Sequence, residues 1–201
     1  MRDATRPRNM EMGAGAILVI NCGSSSVKFA LFDAGESLSR FWSGSVDRIG
    51  IANTRLRILD TEGRTVVDKA DPISDHETAL AQVLDIIDQH PAGPSLSAVG
   101  HRVVHGGAEH DSPVIVTRAV EARLRELSPL APLHQPHNLA GIAAIRKVRP
   151  DIPQVACFDT AFHHSLPRLA TLTALPRQLH DQGVRRYGFL ATVQSLAARQ
   201  A

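Results

Sequence analysis

Four short stretches concentrate the side chains able to do chemistry. In the first, Asn21-Cys-Gly-Ser-Ser-Ser-Val-Lys28, an apolar run (Ile17 to Ile20) stops at a glycine and an alternating run follows. Successive side chains of an extended chain point to opposite faces. Ser24, Ser26 and Lys28 therefore share one face, and Val27, Phe29 and Leu31 share the other. Two hydroxyls and an ammonium beside a Gly-permitted turn suit a polyanion such as phosphate, and backbone N–H groups of the turn add donors. Asn21 offers a neutral oxygen to a hydrated metal ion. The Gly-x-x-x-x-Gly-Lys-Ser/Thr pattern is absent. A β-hairpin with a serine-rich turn is the plainer account of the same residues.

The second stretch is Gly100-His-Arg-Val-Val-His-Gly-Gly107. In a strand, Arg102 and Val104 share one face and His101, Val103 and His105 the other. An arginine just before a strand-breaking glycine pair is well placed to grip a carboxylate or phosphoryl group with two parallel hydrogen bonds. A surface arginine beside a turn is the alternative. The third stretch, Leu130-Ala-Pro-Leu-His-Gln-Pro-His-Asn138, sets His134 and His137 among prolines, where a helix is not expected to continue. A metal site is conceivable there and at His163 and His164. No accompanying Cys/Asp/Glu set has a recognisable ligand spacing, which argues against zinc. In the fourth, Cys157-Phe-Asp-Thr-Ala-Phe-His163, Asp159 follows an apolar run. A carboxylate at the C-terminal end of a buried strand lies where α/β folds place chemistry, though an Asp capping the next turn fits equally.

These stretches need elements to position them. After the opening hairpin, residues 38–48 and 54–69 read as short strands. Ser74-x-x-Glu77 reads as a capping box opening a helix, with Leu80, Val83, Leu84, Ile86 and Ile87 on or near one face. A strand is expected from Ala98 to Val104, a helix from a Thr117 cap to Leu127, another from Asn138 to Val148, and a buried strand from Val155 to Phe158. A strand-rich opening followed by alternating helix and strand predicts an α/β fold with a mixed sheet.

Composition narrows the functional classes. The 201 residues carry a formal net charge of +2 with both signs dispersed, so no nucleic acid or membrane partner is implied. Apolar runs are too short to span a bilayer. Residues 1–15 carry charge without a signal core and read as a disordered extension. Cys22 and Cys157 form no disulfide framework, as expected of a cytoplasmic protein, and both read as buried small side chains.

Taken in order, Asn21-x-Gly-Ser-Ser-Ser-x-Lys28, Gly100-His-Arg-x-Val-His-Gly-Gly107, Ala131-Pro-Leu-His134, Phe158-Asp-Thr-Ala-Phe-His163 and Arg185-Arg-Tyr-Gly-Phe189 resemble the acetate kinase family, within the acetate and sugar kinase/Hsp70/actin superfamily. The resemblance implies an RNase H-like (actin-like ATPase) domain at 16–160 and the truncated start of a second such domain at 161–201. It implies phosphoryl transfer from ATP to acetate, giving acetyl phosphate and ADP with Mg2+. Asn21 would belong to the magnesium site, Lys28 would contact ATP, and Ser24 and Ser26 would lie near the phosphates. Arg102 would hold the substrate, and Val104, Leu133 and Phe189 would line a pocket for its methyl group. Asp159 would be the catalytic carboxylate, and His134 is a further family residue. Acetate is already ionised at neutral pH, so Asp159 is expected to orient magnesium, water or substrate and not to remove a proton.

The sequence departs from the family at Leu190, where the family has a histidine that stabilises the transferring group, and leucine donates no hydrogen bond. The chain stops at Ala201. The expectation is that the family's second domain, and the homodimer surface built largely from it, are missing. The chain alone is then expected to make no measurable acetyl phosphate. Two function classes stay open: the N-terminal portion of an acetate kinase, with propionate or butyrate as alternative substrates, or an inactive truncated relative persisting as a binding module or decayed gene product.

Overall fold

The computed structural model describes residues 15–90 and 95–184. The apolar run forms β1 (Ala16–Cys22), which pairs antiparallel with β2 (Ser26–Asp33) in the register Asn21↔Lys28 and Cys22↔Val27. β3 (Arg40–Asp47), β4 (Arg55–Leu59) and β5 (Thr65–Lys69) extend this meander. Helix α1 (His76–Gln89) then leads to β6 (Leu96–Val103), which lies parallel to β1. β7 (Val114–Ile115), α2 (Arg118–Glu126) and α3 (Gln135–Val148) precede β8 (Gln154–Phe158), parallel to β6. The sheet order is β5-β4-β3-β2-β1-β6-β8-β7. This is the mixed α/β sheet that the alternation of strand and helix patterns predicts.

One face of the sheet is covered by helices. α1 buries Ala79, Leu80, Val83, Leu84 and Ile87, a stripe at helical spacing. Those side chains meet Leu18, Ile20, Val27 and Leu31 of the hairpin and Ile145 of α3 in one cluster. The alternate residues of β1, β2 and β6 are thereby left for the other face.

Three expectations need correction. The cap of α1 is Asp75, not Ser74: its Oδ1 accepts from the Thr78 N–H at 2.8 Å, and Ser74 donates to its Oδ2 at 2.7 Å. An ionised carboxylate is the better acceptor at the positive end of the helix, and Glu77 instead pairs with Lys147 of α3 at 2.6 Å. Helix α3 starts at Gln135, three residues ahead of the expected Asn138, with Pro136 in its first turn. Proline lacks only an N–H that has no helical partner at that position. Cys157 is exposed, because β8 turns Ala156 and Phe158 inward and Cys157 outward.

Cys22 is buried as expected, and burial pushes its thiol up to about 12. It packs against Gly141 of α3, where an added Cβ would lie 2.5 Å from the Cys22 sulfur. Gly141→Ala is therefore expected to destabilise the chain by about 1–2 kcal/mol despite alanine's better helix propensity. In urea unfolding, Cys22→Ala should recover most of that loss. An equal loss in both backgrounds would remove the steric explanation.

Candidate active site

Sheet register assembles the site. Lys28 lies opposite Asn21, and Arg102 follows the last parallel pair, Ile20↔His101, so it comes level with Asn21. Three strands thus carry Lys28, Asn21 and Arg102 as neighbours on the face away from the helices. Ser24 and Ser26 rise from the turn between β1 and β2. Val104 follows β6, and Leu133 and His134 come from the turn before α3. All of these residues line one cleft of about 520 Å3 at the carboxyl ends of β1 and β6.

Arg102 is held from behind by Asp159, the first residue after β8. Its Nε lies 3.0 and 3.1 Å from the two carboxylate oxygens, and its Nη2 donates to Oδ2 at 2.5 Å. Its Nη1 donates to Asn21 Oδ1 at 3.2 Å. The Asp159 side chain is 2% exposed and that of Arg102 is 38% exposed. A guanidinium has five N–H groups; these bonds engage three, leaving one on each terminal nitrogen for a ligand in the cleft. The fork is fixed in direction before any ligand arrives.

A second cavity of about 260 Å3 adjoins the first, sharing Arg102, Val104, Leu133 and His134 and adding Leu130, Ala131 and Pro132. Its walls are mostly apolar. Leu133 is 75% exposed and, with Leu130 beside it at 55%, gives the recess an accessible apolar wall. A cation at the mouth of an apolar recess suits a small amphiphilic anion: a carboxylate at the guanidinium and a short alkyl group in the recess.

The brace behind the cleft was not anticipated. Asn138 Oδ1 accepts from the Val104 N–H at 3.0 Å, and its Nδ2 donates to the Cys22 carbonyl at 2.9 Å. One buried amide thereby ties the ends of β6 and β1 together. Gln135, one turn earlier on α3, accepts from the His105 N–H and donates to the carbonyls of His105 and Leu124. Gly106 N–H is taken by Thr160 Oγ1, on the residue directly after Asp159. The signal available in the sequence was two carboxamides spaced i, i+3, in line with Leu139, Ile142 and Ile145 on one helical face.

The histidines divide by position. His134 occupies the N-cap position of α3 without a side-chain cap bond and lines both cavities. His137 also lines the larger cleft, and burial, with His76 and His134 nearby, holds its imidazole below the usual histidine range. His164 donates through Nε2 to the Ala108 carbonyl. No group of three or more His, Cys, Asp or Glu among the described residues is arranged to hold a metal. The oxygens of Asn21, Ser24 and Ser26 are hard neutral donors in the cleft. Among the described residues Asn21 Oδ1 accepts one long bond, from Arg102, and keeps a second lone pair. That donor set fits a magnesium ion that brings phosphate and water ligands with it. The expected pocket residue Phe189, and Leu190, lie outside the described residues.

The family model described as the Acetokinase family matches residues 16–201. The acetate kinase of Rhodopseudomonas palustris (strain ATCC BAA-98 / CGA009) is 48% identical over 177 residues, 86% of this chain and 44% of that protein. The acetate kinase of Corynebacterium glutamicum (strain R) is 43% identical over 189 residues, 91% of this chain and 47% of that protein. Among solved structures, Porphyromonas gingivalis acetate kinase superposes with a TM-score of 0.83 at 37% identity, covering 93% of this chain and 48% of that one. A propionate kinase from Francisella tularensis gives 0.82 at 31% identity, covering 92% and 48%. The chain thus spans about half the length of the curated relatives it matches. With its sheet, its cleft and the match over residues 16–201, the chain belongs to the acetokinase family.

Proposed function

We propose that this chain supplies the carboxylate and phosphoryl cleft of an acetate kinase, in which the terminal phosphoryl group of ATP passes to acetate to give acetyl phosphate and ADP. The observation that carries the reading is Arg102 at the junction of the polar cleft and the apolar recess. The free N–H groups of Arg102 hold the acetate carboxylate, and its methyl group enters the recess between Val104 and Leu133. Lys28 and the hydroxyls of Ser24 and Ser26 hold phosphate oxygens on the other side. Magnesium, bound at Asn21 with the nucleotide, supplies charge neutralisation of the phosphates.

No base is needed, because acetate is ionised at neutral pH. What the reaction requires is alignment of the two anions and donors around the group in transit. Asp159 contributes by fixing the Arg102 fork, and both its oxygens are turned to the guanidinium. A second reading, propionate as substrate, draws on the similarity to the Francisella tularensis propionate kinase. Each added methylene changes preference by only about 10- to 200-fold.

Titration of the chain with acetate, propionate, butyrate and acetyl phosphate, followed by NMR, tests both readings. Arg102→Ala is expected to weaken every carboxylate at least about tenfold, since a hydrogen bond to a charged group contributes about 1.5–3 kcal/mol. Acetate binding that survives this substitution overturns the proposal. Tighter binding of propionate than acetate selects the second reading.

A further inference from the structure

The turn that follows β1 is held by two side chains from outside the hairpin. Asn138 Nδ2 donates to the Cys22 carbonyl, and His76 Nε2 donates to the Gly23 carbonyl at 2.7 Å. The carbonyl only accepts, so this ring nitrogen carries its proton. The Gly23 N–H is engaged as well, by the Ser26 carbonyl at 2.8 Å. The next peptide unit therefore has its carbonyl end fixed by His76. A trans peptide is planar, with its C=O and N–H pointing in opposite directions. Holding the Gly23 carbonyl toward α1 thus turns the Ser24 N–H away from α1. Ser24 is exposed and lines the cleft, and its N–H meets no acceptor among the described residues.

His76 is itself well anchored. It is the first residue of α1, directly after the Asp75 cap, and the helix is locked into the core. Its ring stacks on that of His137, with centroids 5.7 Å apart and planes 25° from parallel. The contact spans 53 residues of sequence and joins a helix end to the anion-facing turn.

We propose that His76 is a positioning residue for phosphate binding: through the Gly23 carbonyl it sets the Ser24 peptide so that the amide N–H is presented to a phosphate oxygen. This rests on the phosphoryl half of the function proposed above. The effect should fall on phosphate and spare the carboxylate, which Arg102 holds on the other side of the cleft.

Inorganic pyrophosphate and acetate are the two probes, titrated separately against 15N-labelled chain with magnesium. Pyrophosphate is expected to move the Ser24 amide resonance. His76→Phe, which keeps a ring against His137 but has no donor, should weaken pyrophosphate about tenfold and leave acetate within about twofold. His76→Gln, whose amide can donate to the same carbonyl, should recover most of the pyrophosphate affinity. Equal loss of both ligands in His76→Phe, or unchanged pyrophosphate binding, overturns the proposal. A Ser24 amide that pyrophosphate fails to move in the unsubstituted chain overturns it too, whether or not His76→Phe folds. Arg102→Ala reports separately on the function: acetate binding that persists in that variant sinks the kinase reading, whereas a pyrophosphate-only defect at His76 supports the positioning role.

Discussion

Asp159→Ala is expected to lower the stability of the chain by about 3 kcal/mol and to weaken acetate binding about as much as Arg102→Ala does. The Asp159 side chain is 2% exposed and receives three contacts from the guanidinium. Removing one partner of a buried pair typically costs about 3–5 kcal/mol, because the other charge is left without compensation. Arg102 is 38% exposed, so water offsets part of that cost and the lower end applies. The binding loss has a different origin. Without the carboxylate, the fork is no longer aimed along the junction of the two cavities, and a ligand must order it on arrival. Urea unfolding and acetate titration should therefore both respond, with Asp159→Asn intermediate because it keeps one acceptor. Lost acetate binding with unchanged stability would show instead that Asp159 acts on the ligand directly.

The parts of the site legible in the sequence are those set by local alternation. Ser26 and Lys28 share a face because side chains in a strand repeat every second residue, and Arg102 opposes His101 for the same reason. The turn after Cys22 was legible from Gly23 and the serines. The brace was not, because it depends on which distant elements meet. Asn138 reaches Cys22 across 116 residues of sequence, and His76 reaches Gly23 across 53. No periodicity in a single chain reports such a contact. Two local misreadings compounded this. Taking Pro136 as a barrier moved the start of α3 past Gln135, so both carboxamides lost their shared helical turn. Taking Ser74 as the cap of α1 drew attention to Glu77 and away from His76, which lies between them. The pairing of Arg102 with Asp159 was likewise beyond local pattern, although each was singled out for its own charge and place. Only the parallel alignment of β6 with β8, Val103 beside Phe158, brings Arg102 and Asp159 together.

Acid should destabilise the chain well above the pH at which its carboxylates protonate, and His101 is the reason. It is 2% exposed in the middle of the sheet, and its Nε2 donates to Gln154 Oε1 at 2.8 Å. Burial disfavours the imidazolium and holds the pKa down to about 4, against an ordinary value of 6.5; the Gln154 bond pulls the other way and is outweighed. The unfolded chain therefore takes up a proton between pH 6.5 and 4 that the folded chain refuses. Stability is full above that window and falls as pH drops through it, by about 3 kcal/mol from this one group. His105, also lowered by burial, acts in the same direction. Carboxylates held below their usual range, such as Asp75 at the α1 cap, add their losses at lower pH. Urea midpoints measured from pH 7 to 4 should show the decline, and His101→Gln should flatten it while costing stability at pH 7. Gln154 would keep an amide donor opposite it, so the variant removes the titration without stranding the partner. A decline of the same steepness in His101→Gln would assign the acid sensitivity to other groups.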